Sequence, residues 1–73
     1  MTEEERAERR AALTHAYNVL KENGYKPIDQ ITGYLVTGDP TYISTKENAR
    51  SMIRKFNPDE LIEEILTEYF KLG

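Results

Sequence analysis

The run YLVTGDPTYI, residues Tyr34 to Ile43, decides the fold. Its flanks, LVT and TYIST, are β-prone by composition, but each is short and each borders a turn or a cap. The centre, Gly38-Asp39-Pro40, reads as helix punctuation. Gly38 stands just past a helix end, where a left-handed backbone is needed. Asp39 is an N-cap that accepts from the N–H of Thr41 or Tyr42, and Pro40 opens a short helical turn. The competing reading is the floor of a phosphate site. A phosphate loop of the form Gly-x4-Gly-Lys-Ser/Thr needs a second glycine and a lysine, and GDPT has neither. The stretch is therefore expected to join two helices in an all-α chain, with at most a short strand near Tyr42.

Upstream, a first helix is expected from about Thr2 to Asn23, with a Glu-rich first turn and Gly24 beyond its end. Leu13, Ala16, Tyr17 and Leu20 recur at i, i+3, i+4 and i+7 and mark its apolar face. His15 falls outside that face and reads as a solvated side chain rather than a ligand or base. Residues 1–12 contain almost no large apolar side chain and read as a charged extension that frays, ahead of a single helical domain over residues 13–73. A second helix starts at Pro27, with Ile28, Ile31 and Leu35 on one face and Tyr34 and Val36 flanking it. Gly33 lies inside it at a cost of about 1 kcal/mol relative to Ala, which points to close approach of another backbone or ring, such as one from a dimer mate.

Downstream, a third helix is expected from Ser44 or Thr45, with Ala49, Met52, Ile53 and Phe56 as its apolar stripe. Lys46, Arg50 and Arg54 then fall at i, i+4 and i+8 along one flank, a candidate anion-facing or partner-facing edge. Asn57-Pro58-Asp59-Glu60 resembles a capping box and opens a fourth helix. Leu61, Ile62, Ile65, Leu66, Tyr69 and Phe70 cover about half of its circumference, more than the ~100° stripe one small domain covers. These residues are the candidate dimer interface. The expected architecture is a small four-helix domain, a homodimer that shares its core through the C-terminal helix.

Size and composition exclude much. A 73-residue chain without cysteine has no disulfide and no thiolate metal site, and its one histidine cannot build an imidazole site alone. Burial must come from packing, and often from a second copy. No apolar run is long enough to span a bilayer and the N-terminus lacks a signal-peptide core, so the expectation is a cytoplasmic protein without membrane insertion. The net charge of -3 weighs against nucleic-acid binding. Residues 46–55 are basic and residues 58–73 acidic, and the two segments are expected to complement each other, within one chain or across a dimer.

The chain lacks a Gly-x-Ser-x-Gly elbow, and its acidic pair Glu60 and Glu64 is placed on a solvated face, so no catalytic residue, cofactor or metal site is assigned. Two alternatives to a non-enzymatic interaction module are a helical nucleic-acid binder using the basic stripe and a small-ligand binder. The second would use a cleft lined by Tyr25, Tyr34, Tyr42 and Tyr69.

From Leu20 to Leu72 the chain resembles the IreB family of small proteins from Gram-positive bacteria. The resemblance rests on NGYKPIDQITGYLVTGDPTYIS (Asn23 to Ser44), NARSMIRKF (Asn48 to Phe56) and DELIEEILTEYF (Asp59 to Phe70). It implies an all-helical cytoplasmic homodimer without enzymatic activity, a regulatory phosphoprotein. It also implies phosphorylation by a transmembrane Ser/Thr kinase with extracellular PASTA domains, and a negative role in the cell-wall stress response, including cephalosporin resistance and thus antibiotic resistance. The downstream protein target is unidentified. Family members begin with a segment resembling FxxDDTxxxEI that carries the phosphoacceptors. MTEEERAERRAAL departs from it, and only Thr2 offers a hydroxyl there.

Overall fold

The computed structural model describes residues 2–71, and among them every regular element is helical. Helix α1 spans Glu3–Glu22, α2 Pro27–Thr37, α3 Ala49–Ile53 and α4 Pro58–Phe70, with single 3-10 turns at Pro40–Tyr42 and Lys46–Asn48. Helix α1 packs against the other three, and α2 also touches α4.

The helix ends follow local chemistry. Thr2 caps α1 reciprocally: its Oγ1 accepts from the Glu5 N–H at 3.1 Å, and its own N–H donates to Glu5 Oε1 at 3.0 Å. At the far end Tyr25 N donates to the Leu20 carbonyl at 3.0 Å and Gly24 N to that of Lys21 at 3.2 Å, with Gly24 at φ 81°. This pairing satisfies two carbonyls that the helix itself leaves open. Helix α2 ends on Gly38, at φ 73°, whose N–H reaches the Tyr34 carbonyl at 2.7 Å. Asp39 Oδ1 then accepts from the Thr41 N–H at 3.0 Å and from the Thr41 hydroxyl at 2.8 Å, with Pro40 opening the 3-10 turn. At α4, the Asn57 N–H donates to Glu60 Oε1 at 2.9 Å.

The core gathers Ala16, Val19 and Leu20 of α1, Tyr34 of α2, Ile43, Ala49 and Ile53, and Leu61 of α4, with Leu13, Ile31, Leu35, Tyr42 and Phe56 packed around it. Three expectations shift. Tyr17 is on the exposed side of α1 and Val19 is buried, because the inward face of α1 centres on Ala12, Ala16 and Val19. On α2, Tyr34 is buried rather than flanking, and Ile28 is exposed. Gly33 faces a ring from its own chain: a Cβ there would meet Tyr42 Cε1 at 2.5 Å. The glycine is what lets the Pro40–Tyr42 turn fold back onto α2.

The third helix is the largest departure. It starts at Ala49, not at Ser44 or Thr45, because Glu47 and Asn48 both take left-handed backbone conformations, at φ 51° and 61°. Ser44 holds this loop closed. Its hydroxyl accepts from Lys46 N at 3.1 Å and its carbonyl from Arg50 N at 3.0 Å. His15, half-buried rather than solvated, donates from Nε2 to the Glu47 carbonyl at 2.6 Å, and Lys46 Nζ donates to Asn23 Oδ1 at 2.7 Å. Left-handed backbone costs non-glycine residues roughly 1–2 kcal/mol each, and these tertiary bonds, with the full burial of Ala49, offset it.

Candidate functional site

Charge on α1 and α4 is arranged face to face. Arg6 Nε donates to Glu64 Oε1 at 2.8 Å and its Nη2 to Oε2 at 3.2 Å, a two-pronged pairing. Arg10 Nη1 joins the same carboxylate at 3.4 Å, and Arg9 Nη2 donates to Glu60 Oε2 at 2.6 Å. Glu64 is only 1% exposed, and Arg6 and Arg9 are buried as well. The hydrogen bond from Arg6, more than the opposing effect of burial, holds the Glu64 carboxyl below the usual carboxylate range. Glu60 is lowered first by the Asn57 N–H and then by Arg9. Arg9 leaves Nε and Nη1 without acceptors among the described residues, and its guanidinium lies 5.4 Å from the Phe56 ring centroid, whose electron-rich face attracts the cation.

This network overturns two expectations. Glu60 and Glu64 do not form a solvated acidic face, and within one chain the acidic α4 is complemented by the arginines of α1 rather than by residues 46–55. The arginines lie within the segment read as residues 1–12, and there they belong to helix α1, Glu3–Glu22. A signal was present: Arg6 and Arg10 on α1, like Glu60 and Glu64 on α4, are spaced i, i+4, so each pair forms one stripe.

The six apolar residues assigned to a dimer interface divide. Leu61 is fully buried in its own core. Ile62, Ile65, Leu66, Tyr69 and Phe70 are exposed, Leu66 by 50% and Tyr69 by 76%, with the Tyr69 and Phe70 rings edge-on at 4.9 Å. Beside them Leu13, Tyr17, Ile28, Ile31 and Ile65 line an open groove of about 360 Å³ between α1, α2 and α4. These side chains and the groove leave an apolar face exposed on α4 and its neighbours.

The basic edge also changes form. The left-handed residues Glu47 and Asn48 interrupt the helical register, so Lys46, Arg50 and Arg54 do not line one helix flank. Lys46 and Arg50 instead meet at a cavity between α2 and the loop that precedes α3, and Arg54 is absent from its lining. The four tyrosines do not share one cleft. Tyr25 and Tyr42 line that cavity, Tyr34 is buried, and Tyr69 borders a separate hollow beside Arg10 and Leu13. Thr2 is exposed at the start of α1, ahead of Glu3, Glu4 and Glu5.

Among the described residues no three His, Asp or Glu side chains gather to hold a metal ion, and no helix is long and apolar enough to cross a membrane.

A family model described as IreB regulatory phosphoprotein matches residues 1–71. A UPF0297 protein of Acetivibrio thermocellus is 55% identical over 64 residues, which cover 88% of this chain and 71% of that protein.

Proposed function

Because the chain belongs to the IreB family of regulatory phosphoproteins, we propose that it is a non-enzymatic regulator phosphorylated by a membrane Ser/Thr kinase of the PASTA type. In this reading it works in the cytoplasm as a homodimer and restrains the cell-wall stress response, and with it cephalosporin resistance. The observation that carries the reading is the family match over residues 1–71, which includes the departing N-terminus.

Two structural features support it. The exposed apolar residues Ile62, Ile65, Leu66, Tyr69 and Phe70 offer a surface for a second copy. Thr2 is the candidate phosphoacceptor, exposed and at a helix N-terminus. A phosphate there carries a charge of about -1.5 to -2, which the helix dipole favours and Glu3, Glu4 and Glu5 oppose. It would also remove the Thr2 hydroxyl from its cap on Glu5, loosening the first turn of the helix that carries Arg6.

Deleting the gene in the source organism tests the regulatory role. The reading expects a higher cephalosporin tolerance that returns to the parental level on complementation. Unchanged susceptibility, with the deletion verified, would contradict it.

A further inference from the structure

We propose that the cavity between α2 and the Ser44–Arg50 loop is a binding site for a phosphate group, taken either as free phosphate or as a small phosphate monoester. The cavity measures about 250 Å³, and Tyr25, Thr41, Ser44, Thr45, Lys46 and Arg50 supply its polar lining. That is below the ~300–1,000 Å³ of sites for drug-sized ligands, and it suits one phosphoryl group with a short substituent.

Charge carries the argument. The arginines of α1 that face inward are each matched to a carboxylate, whereas the two cations of this cavity are matched to neutral groups. Lys46 Nζ donates to the Asn23 amide oxygen, and Arg50 Nε donates to the Ile43 carbonyl at 2.9 Å. Neither residue forms an ion pair among the described residues, and no carboxylate lines the cavity. Asp39, nearby, is engaged by the Thr41 N–H and hydroxyl, the main cause of its lowered pKa, and feels Arg50 only weakly. Two like charges on residues that line one small concavity repel each other, and an anion between them relieves the repulsion. A phosphate dianion neutralises both. Arginine's planar fork offers it paired donors and the lysine a point charge, and the hydroxyls of Tyr25, Ser44 and Thr45 add donors for its remaining oxygens.

The walls are built rather than incidental. The Arg50 Nε bond to Ile43, a fully buried residue, fixes the guanidinium plane and leaves both Nη groups without an acceptor among the described residues. The bonds of Ser44 to Lys46 N and Arg50 N close the loop, and both cationic residues line the cavity beside it. Gln30 Nε2 donates to the Tyr42 carbonyl at 3.0 Å, and the Tyr42 ring is seated on Gly33, so the opposite wall is fixed to α2. The strained Glu47–Asn48 backbone is what this arrangement requires, since a continuous helix from Ser44 could not fold the loop around the cavity.

The test is a two-dimensional amide NMR titration of the full chain with inorganic phosphate, and separately with O-phospho-L-threonine, against matched potassium chloride and threonine. The expected result is saturable shifts confined to Tyr25, Thr41–Lys46 and Arg50. Lys46→Gln, at an exposed position, should weaken the affinity by about tenfold, and Arg50→Lys should weaken it through loss of the fork. Saturation with phosphate alone identifies free phosphate as the ligand, and tighter saturation with phosphothreonine identifies a phosphorylated side chain. Both uphold the site. Shifts that stay linear and scattered over the surface, or equal affinities in the parent and both folded variants, would overturn it.

Discussion

Glu64→Gln keeps the volume of a buried side chain and removes its charge, and its cost can be worked from the contacts. Glu64 now takes two hydrogen bonds from Arg6, at 2.8 and 3.2 Å, and one from Arg10 at 3.4 Å. A glutamine oxygen still accepts from Arg6 Nε, but its NH2 group meets Arg6 Nη2 and Arg10 Nη1, a donor against donors. Removing one partner of a fully buried ion pair costs about 3–5 kcal/mol. Here Glu68 at 3.5 Å and Glu3 at 3.7 Å still reach Arg6, and Glu3 at 2.9 Å still holds Arg10. The expected loss is therefore nearer to about 2 kcal/mol, against a total stability of about 4–11 kcal/mol for a chain of this length. That corresponds to a fall in Tm of about 8–16 °C. Thermal unfolding followed by circular dichroism reads it, with exposed Glu63→Gln as a control that moves Tm little. The double variant Arg6→Met with Glu64→Met should recover most of the loss, because both members of the buried pair are replaced and Arg10, which loses Glu64, keeps Glu3 at 2.9 Å. A Glu64→Gln variant that melts within about 3 °C of the parent would refute the buried network.

Acid should unfold the protein through the same groups. Glu64, Glu60 and Glu5 have folded pKa values below their ordinary range, Glu64 through Arg6, Glu60 through the Asn57 N–H and then Arg9, and Glu5 through the Thr2 N–H. A carboxyl depressed on folding contributes stability that is fully present above its unfolded value, near 4.3, and is lost as pH falls through the folded one. Urea unfolding should thus be level from neutral pH to about 5.5 and weaken below about 4.5, with a shallower acid limb in Glu64→Gln; equal slopes in both proteins would count against the assignment. Gly33→Ala should destabilise the parent, because overpacking of about 1–3 kcal/mol exceeds the helix-propensity gain of about 1 kcal/mol, but stabilise a Tyr42→Ala background. The same change in both backgrounds would show that the ring does not restrict Gly33. Leu66→Asp, at an exposed position, should leave the monomer fold intact and shift sedimentation from dimer to monomer, and a parent that sediments as a monomer at micromolar concentration would remove the shared interface.

The fold was legible where local chemistry carries it. The helix starts at Pro27 and Asn57-Pro58 and the ends at Gly24 and Gly38 depend on residues within a few positions of each other, so one sequence displays both the cause and the effect. What escaped depends on partners far along the chain. Arg6 reaches across 58 positions to Glu64, and only the packing of α1 on α4 turns two charged stripes into a buried network. The left-handed pair Glu47-Asn48 is held by His15 and by the Lys46 bond to Asn23, both on or beside α1, so Ser44 and Thr45 looked like helix caps when Ser44 closes a loop instead. Gly33 was half legible: an interior glycine signals close approach, but its sequence neighbourhood does not say that the ring is Tyr42, nine positions on in the same chain. For the candidate surfaces, helical spacing found the apolar face of α4, whereas the meeting of Lys46 and Arg50 at a cavity depends on the broken register that spacing assumes intact.

Phosphorylation by a PASTA-type Ser/Thr kinase, as proposed above, can be measured on the purified chain. The most direct test incubates the full chain with the kinase domain from the same organism and ATP, followed by intact mass and peptide mapping. The expected result is stoichiometric addition of one phosphate, mapped to Thr2 and lost in Thr2→Ala. A chain that takes up no phosphate while the kinase phosphorylates itself in the same reaction would contradict it.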